Sequence, residues 1–285
     1  MTDPARPVPK ACIIGHPVAH SRSPMVHGFW LKELDLPGDY TREDVRPENL
    51  ARFIASLRER GYVGANVTVP HKEAVLGLAE VASETARAMG AANTLWFENG
   101  LLHADNTDVA GFLANLDERA PGWDRRGGTA TVLGAGGAAR AVVYGLLARG
   151  FSTIHLVNRS RERSLALEAA FGPAVTSCGW EGLDRALSET NLLVNTTSLG
   201  MAGQPPLVID LAPLPDTAVV HDIVYIPLTT GLLSAARARG LATVDGLGML
   251  LHQAVPGFAH WFGRMPSVTE DLRAILVRDI EWAKV

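Results

Sequence analysis

Residues 129–140, Thr-Ala-Thr-Val-Leu-Gly-Ala-Gly-Gly-Ala-Ala-Arg, join a short apolar run to an alanine-rich stretch through a turn built almost wholly of glycine and alanine. The apolar run has the character of a buried strand, and the stretch after it that of a helix. Gly134, Gly136 and Ala139 fall on the pattern G-x-G-x-x-A in the one context where it has a mechanism, after a strand and before a helix. There the first glycine permits the tight turn, the second lets the backbone approach a pyrophosphate, and the alanine allows close helix packing. The helix start offers unpaired N–H groups and a positive dipole end to phosphates, so Gly134, Ala135, Gly136, Gly137 and Ala138 are candidate dinucleotide contacts. A plain small-residue turn inside a core is the alternative.

The flanking pattern supports a doubly wound sheet. From about 129 to 246, apolar strands at Thr153–Val157, Asn191–Val194, Ala218–Ile223 and Ala242–Val244 alternate with helical stretches, as a parallel sheet with right-handed crossovers requires. Upstream, Ala11–Gly15 reads as a strand, Pro24–Glu33 as a helix, Leu50–Leu57 as an amphipathic helix ending at Gly61, and Tyr62–Val69 as a second strand. Pro70 ends that strand and His71-Lys72-Glu73 opens another helix. The turn-rich Pro121–Gly128 suggests a boundary near 109–128. The expected organisation is α/β in two domains: 1–108 as a substrate domain with the helical 247–285 packing back on it, and 109–246 as a Rossmann-type domain.

Composition removes several classes. With 26 Lys plus Arg against 30 Asp plus Glu, the net charge of −4 suggests neither a nucleic-acid nor an anionic-membrane surface. The start lacks the basic, apolar and small-residue regions of a secretory signal, and the longest apolar run, Ala130–Ala148, is broken by Arg140 and by glycines, so a cytoplasmic, non-membrane protein is expected. Cys12 and Cys178, far apart and without CxxC spacing, argue against disulfides and structural zinc. His16, His20 and His27 do not make a metal set, because Pro17 breaks the helix that would align the first two and no carboxylate or cysteine completes the group.

The strand ending at Val157 runs into Asn158-Arg159-Ser160-Arg161-Glu162-Arg163. An NAD-selective site places an acid there for the adenosine 2′-hydroxyl; arginines suit a 2′-phosphate instead, which a guanidinium can fork onto, so NADP is the expected cofactor. Arg159 and Arg163 are the expected clamps, with Asn158 and Ser160 beside them, and an exposed basic helix start is the alternative. In the first domain Ser21, Ser23, Asn66, Thr68 and Asn93, with Lys72 and Asp108, form a largely neutral hydrogen-bonding set that suits a hydroxyl-rich ligand.

Seven motifs, His20–His27, Gly64–Lys72, Gly90–Thr94, Asn106–Asp108, Gly134–Arg140, Asn195–Met201 and Asp245–Gln253, together resemble those of the shikimate dehydrogenase family, in its order and across nearly the whole chain. The resemblance implies NADP-dependent reduction of 3-dehydroshikimate to shikimate, a step of aromatic amino-acid biosynthesis, with a cleft between the two domains. It places Ser21 and Ser23 on the substrate carboxylate, and Asn66, Thr68, Asn93, Asp108 and Gln253 around the ring hydroxyls. It makes Lys72 and Asp108 the catalytic pair: hydride transfer to a carbonyl leaves an oxygen that must gain a proton, and Lys72 is the candidate carrier with Asp108 orienting it. Asn195, Thr196, Ser198, Met201, Ile223, Gly246 and Met249 are implied on the cofactor side, and Tyr225 near both ligands. Met249 serves equally well as plain core. Gly28 departs from the asparagine that members of the family often carry there.

Two rivals remain. A quinate/shikimate dehydrogenase would share the chemistry but accept an extra ring hydroxyl or NAD; a nonenzymatic ligand sensor would have no need of Lys72 and Asp108. A monomer or homodimer is expected.

Overall fold

The computed structural model describes residues 8–125 and 127–282. The first seven residues of the start read above, Arg126 of the turn at 121–128 and the last three residues of the C-terminal helical stretch lie outside them. The described chain divides into two compact units: residues up to Thr107 with Gln253–Leu276, and Asp108–His252 with the residues from Val277 onward.

In the first unit, β1 (Lys10–Gly15), α1 (Ser23–Glu33), β2 (Asp39–Asp44), α2 (Leu50–Ala55), β3 (Tyr62–Val67), α3 (Lys72–Leu76), β4 (Val81–Ala82), α4 (Glu84–Met89), β5 (Thr94–Glu98) and β6 (Leu101–Asp105) build a sheet of order β2-β1-β3-β5-β6-β4. Strands β1, β2 and β3 are parallel, and β5 runs antiparallel to β3 and β6. Beyond Lys10 strand β1 is apolar and buried on both faces: Cys12 and Ile14 join Leu57, Val67 and Leu95 in one core, and Ala11 and Ile13 pack with Val18 and Trp261 in another. Asn99 and Gly100 both take positive φ, as a two-residue β5–β6 hairpin turn needs. Strand β2 is a polar edge with only Tyr40 buried, which is why alternation did not reveal it.

The second unit comprises α5 (Asp108–Arg119), β7 (Gly128–Leu133), α6 (Gly137–Ala148), β8 (Phe151–Val157), α7 (Arg161–Phe171), β9 (Val175–Cys178), α8 (Leu183–Ser188), β10 (Leu192–Asn195), β11 (Val219–Asp222), α9 (Gly231–Ala238), β12 (Ala242–Val244) and α10 (Leu247–His252). Its sheet is parallel in the order β12-β11-β10-β7-β8-β9, the doubly wound arrangement read from the sequence. One core contains Phe112, Val132, Val142 and Leu156, and another, on the opposite face, Leu133, Leu187, Leu193 and Leu233. The chain continues with α11 (Ala254–Phe262), in the first unit, and α12 (Glu270–Trp282), which the division crosses at Leu276.

The division falls at 107/108 and 252/253, and not at the expected 108/109 and 246/247. Asp108 is the first residue of α5, a helix of the second unit. Residues 247–252, expected with the first domain, form α10, which lies against α5 so closely that a Cβ on Gly248 would fall 1.8 Å from Asn115 Oδ1.

Each unit buries a histidine in its neutral form. Burial pushes His27 down to about 3 and His221 down to about 4. The unfolded chain protonates both near 6.5, so it binds more protons than the folded protein as pH falls below that value, and stability drops. Urea unfolding between pH 7 and pH 5 should show a loss of about 2 kcal/mol per histidine. A stability that stays level over that window would contradict the neutral burial of both.

Candidate active site

In the first unit β2 and β3 lie on opposite sides of β1, so the loops leaving β1 and β3 diverge at a switch point, where open α/β sheets bind ligands. The loop after β1 carries Ser21 and leads to Ser23 at the start of α1; the loop after β3 carries Thr68 and leads to Lys72 at the start of α3. Because β5 is antiparallel, Asn93 and Thr94 enter at the same edge where β6 exits into Asn106 and Thr107. The structure thus brings Ser21, Ser23, Asn66, Thr68, Lys72 and Asn93 to one edge, and Gln253 joins them by accepting a bond from Asn93 Nδ2 at 3.2 Å.

Asn66 is the hub. Its Oδ1 accepts from Tyr40 OH at 2.7 Å and from His27 Nε2 at 3.2 Å, and its Nδ2 donates to Asn93 O at 3.2 Å and Thr94 Oγ1 at 3.3 Å. A primary amide has no capacity beyond these four bonds. Asn66, expected on a ring hydroxyl, therefore spends its hydrogen bonds inside the protein. Asn93 Oδ1 is held by Thr107 N at 2.9 Å and by the Thr107 and Thr94 hydroxyls at 3.0 Å each. Ser21 Oγ donates to Ser23 Oγ at 3.2 Å, and Ser23 in turn bonds the Tyr40 phenol, whose own proton burial holds firmly in place by pushing its pKa well up. His27, stacked 4.0 Å from Tyr40, keeps its ring fixed behind Asn66.

The remaining expected residues stand in the second unit, Asp108 at the start of α5 and the others in the segments that follow its strands. Its switch point lies between β7 and β10. Gly134 has φ of +109°, and a Cβ there would meet Thr196 Oγ1 at 2.6 Å, an atom already tied to Leu133 O at 2.7 Å. Only glycine fits. Around Gly136 and Gly137, at the start of α6, a Cβ would meet nothing within 4 Å, so the open turn and the first N–H groups of α6 fit a pyrophosphate. Ala135 packs on the core below the turn, and Ala138 is half-buried in the first turn of α6. After β8, Asn158 Nδ2 bonds Ser160 O at 2.8 Å while Arg159 and Arg163 stay exposed with no acid at the strand end, a donor set that fits a 2′-phosphate.

Asn195 is fully buried. It donates to Leu199 O at 3.2 Å and Asp222 Oδ1 at 2.9 Å, and accepts from Thr197 N at 3.0 Å and Thr197 Oγ1 at 2.7 Å. It too is spent internally, shaping the loop on which Thr196, Ser198 and Met201 sit. Ser198 and Met201 are exposed. Ile223 and Tyr225 follow β11, Ile223 O lies 2.0 Å from where a Gly246 Cβ would be, and Met249 packs against the core. Asp108 and Tyr225 thus fall in the second unit, and the other expected substrate residues in the first.

Sequence reasoning missed Tyr40, Thr94, Thr107 and Asp222. Asp222, fully buried and pushed up by burial, accepts from Asn195 Nδ2, from Val224 N at 3.1 Å and from Thr230 Oγ1 at 2.7 Å. Its signal was an acid inside an apolar strand. Among the described residues no group of three His, Cys, Asp or Glu side chains could hold a metal ion, and no helix is long and apolar enough to cross a membrane.

A chain that joins a glycine-turn Rossmann unit to an α/β unit with a polar switch point is of the dinucleotide-dependent oxidoreductase class. Residues 13–95 match the shikimate dehydrogenase substrate binding domain, 119–202 the shikimate / quinate 5-dehydrogenase family and 246–276 the shikimate 5'-dehydrogenase C-terminal domain. The NADP(+) shikimate dehydrogenase of Azorhizobium caulinodans is 57% identical over 95% of this chain and 96% of its own, and that of Rhodopseudomonas palustris strain TIE-1 is 58% identical over the same shares. Among solved structures, shikimate 5-dehydrogenase from Thermus thermophilus in complex with NADP(H) and shikimate aligns with a TM-score of 0.84 and 35% identity over 95% of this chain and 99% of that one. Quinate dehydrogenase from Corynebacterium glutamicum in complex with NAD aligns with a TM-score of 0.86 and 31% identity over 94% and 98%. The chain belongs to the shikimate dehydrogenase family of NADP-dependent oxidoreductases.

Gly134→Ala should weaken NADP binding by about tenfold or more, because the turn must open or Thr196 must leave Leu133. Fluorescence titration with NADPH checks this; an unchanged dissociation constant would show that the turn tolerates a side chain.

Proposed function

We propose that this chain reduces 3-dehydroshikimate to shikimate with NADPH, reversibly, in aromatic amino-acid biosynthesis. The observation that carries the reading is the polar switch point of the first unit, where Ser21 and Thr68 stand on the two diverging loops, Lys72 opens α3 and Asn93 completes the edge. Neutral hydroxyl and amide groups recognise a ring that carries several hydroxyls, and the serine pair receives its carboxylate. In this reading Asn66 acts behind the ligand, fixing Asn93 and Tyr40.

Bound at the Gly134–Ala138 turn, NADPH supplies the hydride for the substrate carbonyl and its oxidised form accepts it in the reverse direction. As the carbonyl carbon becomes tetrahedral, its oxygen gathers negative charge and needs a proton. Lys72 Nζ donates that proton, and in the oxidation of shikimate takes it from the hydroxyl. Asp108 orients the ammonium. Arg159 and Arg163 hold the 2′-phosphate, which an acid at the end of β8 would repel.

Lys72→Ala should lower kcat by about a hundredfold or more while the shikimate affinity stays within about tenfold, since proton transfer matters most in the transition state. Near-normal turnover would remove Lys72 from the mechanism. The function itself is tested by steady-state oxidation of shikimate and of quinate, each with NADP and with NAD, on wild type and on Arg159→Ala. Turnover confined largely to shikimate with NADP is expected, with the arginine variant losing NADP use far more than NAD use. Comparable turnover of quinate or with NAD would place the chain with the dual-specificity dehydrogenases, and equal loss of both cofactors would show that Arg159 does not read the 2′-phosphate.

A further inference from the structure

Strand β2 supports the polar edge at three alternate positions. Tyr40, Arg42 and Asp44 are two residues apart, so their side chains leave the strand on one side. Tyr40 holds Asn66, as described. Arg42 donates from Nε at 2.9 Å and from Nη2 at 2.6 Å to one acceptor, the backbone carbonyl oxygen of Ser21. Asp44 Oδ1 pairs with His16 Nδ1 at 2.8 Å. His16 opens the loop between β1 and α1 and Ser21 stands one residue before its end, so a single strand grips that loop near both ends.

The grip on Ser21 differs in kind from a surface ion pair. Two donors of one rigid plane converge on one oxygen, which fixes the carbonyl in direction as well as distance; an ammonium on a flexible stem would fix distance alone. The residue so held is the one whose hydroxyl donates to Ser23 Oγ and accepts from Ser23 N at 3.3 Å. Serine hydroxyls are weak anion binders whose value depends on being already in place, because a neutral donor has little energy to spare for ordering a loop. Arg42 also brings a positive charge within one peptide of a pair of neutral donors.

The geometry points to Arg42 as a positioning residue for carboxylate recognition: its fork on the Ser21 carbonyl holds the serine pair ready for the acid group of the substrate. This rests on the reading of Ser21 and Ser23 as the carboxylate site given under Proposed function.

The test uses shikimate and its uncharged methyl ester, with wild type, Arg42→Ala and Arg42→Lys, measuring kcat and KM with NADP and binding of each ligand by calorimetry. Arg42→Ala should raise the KM for shikimate about tenfold, lower kcat no more than about threefold and leave the KM for NADP unchanged. Its preference for acid over ester should fall about tenfold, because the ester never used the serine pair as an anion site. Arg42→Lys, which keeps the charge and loses the fork, should recover only a minor part of that preference. An unchanged shikimate KM in Arg42→Ala, or equal losses on acid and ester, overturns the inference, the second by showing that Arg42 merely stabilises the loop. Full recovery in Arg42→Lys overturns the positioning role in favour of charge alone. A wild type that binds acid no better than ester overturns the carboxylate reading itself, whereas a wild-type preference that Arg42→Ala retains overturns this inference only.

Discussion

A buried primary amide can accept two hydrogen bonds and donate two, and in the first unit Asn66 does all four. It has to, since an unpaired amide group at that depth costs about 1–3 kcal/mol. The consequence reaches well beyond one residue. Tyr40 on β2, His27 on α1 and Asn93 ahead of β5 are drawn to a common centre, and Asn93 then fixes Thr107 at the exit of β6. The polar edge is a network in which each orientation implies the next, so its side chains are ordered by one another.

The second unit solves the same problem with a different hub. There Asp222 ends β11 and ties together the loop after β10 through Asn195, the loop after β11 through Val224 N, and the approach to α9 through Thr230. A buried carboxylate is costly unless several donors meet it, and three do. In both units a buried polar residue with its bonds spent inside the protein orders the polar groups around it. That division is physical: a group with every bond satisfied internally has none to offer, and a group with bonds to offer must stand where water or ligand can take them.

The doubly wound sheet was legible because it is buried on both faces and its strands are apolar runs that periodicity detects, as Thr129–Leu133 and Leu192–Val194 show. The glycine turn was legible for a similar reason, since Gly134 answers a local steric demand. Strand β2, Asp-Tyr-Thr-Arg-Glu-Asp, was not, because an edge strand with one buried residue carries no alternation. The β5–β6 hairpin could have been found from Asn99-Gly100, whose positive φ values are what that pair is good for. Asn66 and Asn195 were legible as members of their motifs but not in their roles: a sequence shows that an asparagine is present, and only the partners around it show whether its amide is spent.

The two units also present different physics to a ligand. On the proposed function the first, with hydroxyls and amides of fixed direction and few formal charges, would discriminate by leaving a group unpaired when a ring hydroxyl is missing or misplaced, a penalty that hydrophobic contact cannot match. The second presents open backbone N–H groups at the start of α6 and exposed arginines after β8, groups suited to charge more than to shape. A carboxylate on the first unit's ligand sits awkwardly in such a scheme, since neutral serines must hold an anion. On the carboxylate reading proposed above, strand β2 resolves the difficulty by placing Arg42 on the backbone of Ser21: the loop is held by a cation, and the serine pair itself stays neutral. Direct contact from a guanidinium would bind any carboxylate well and so weaken discrimination by the hydroxyls.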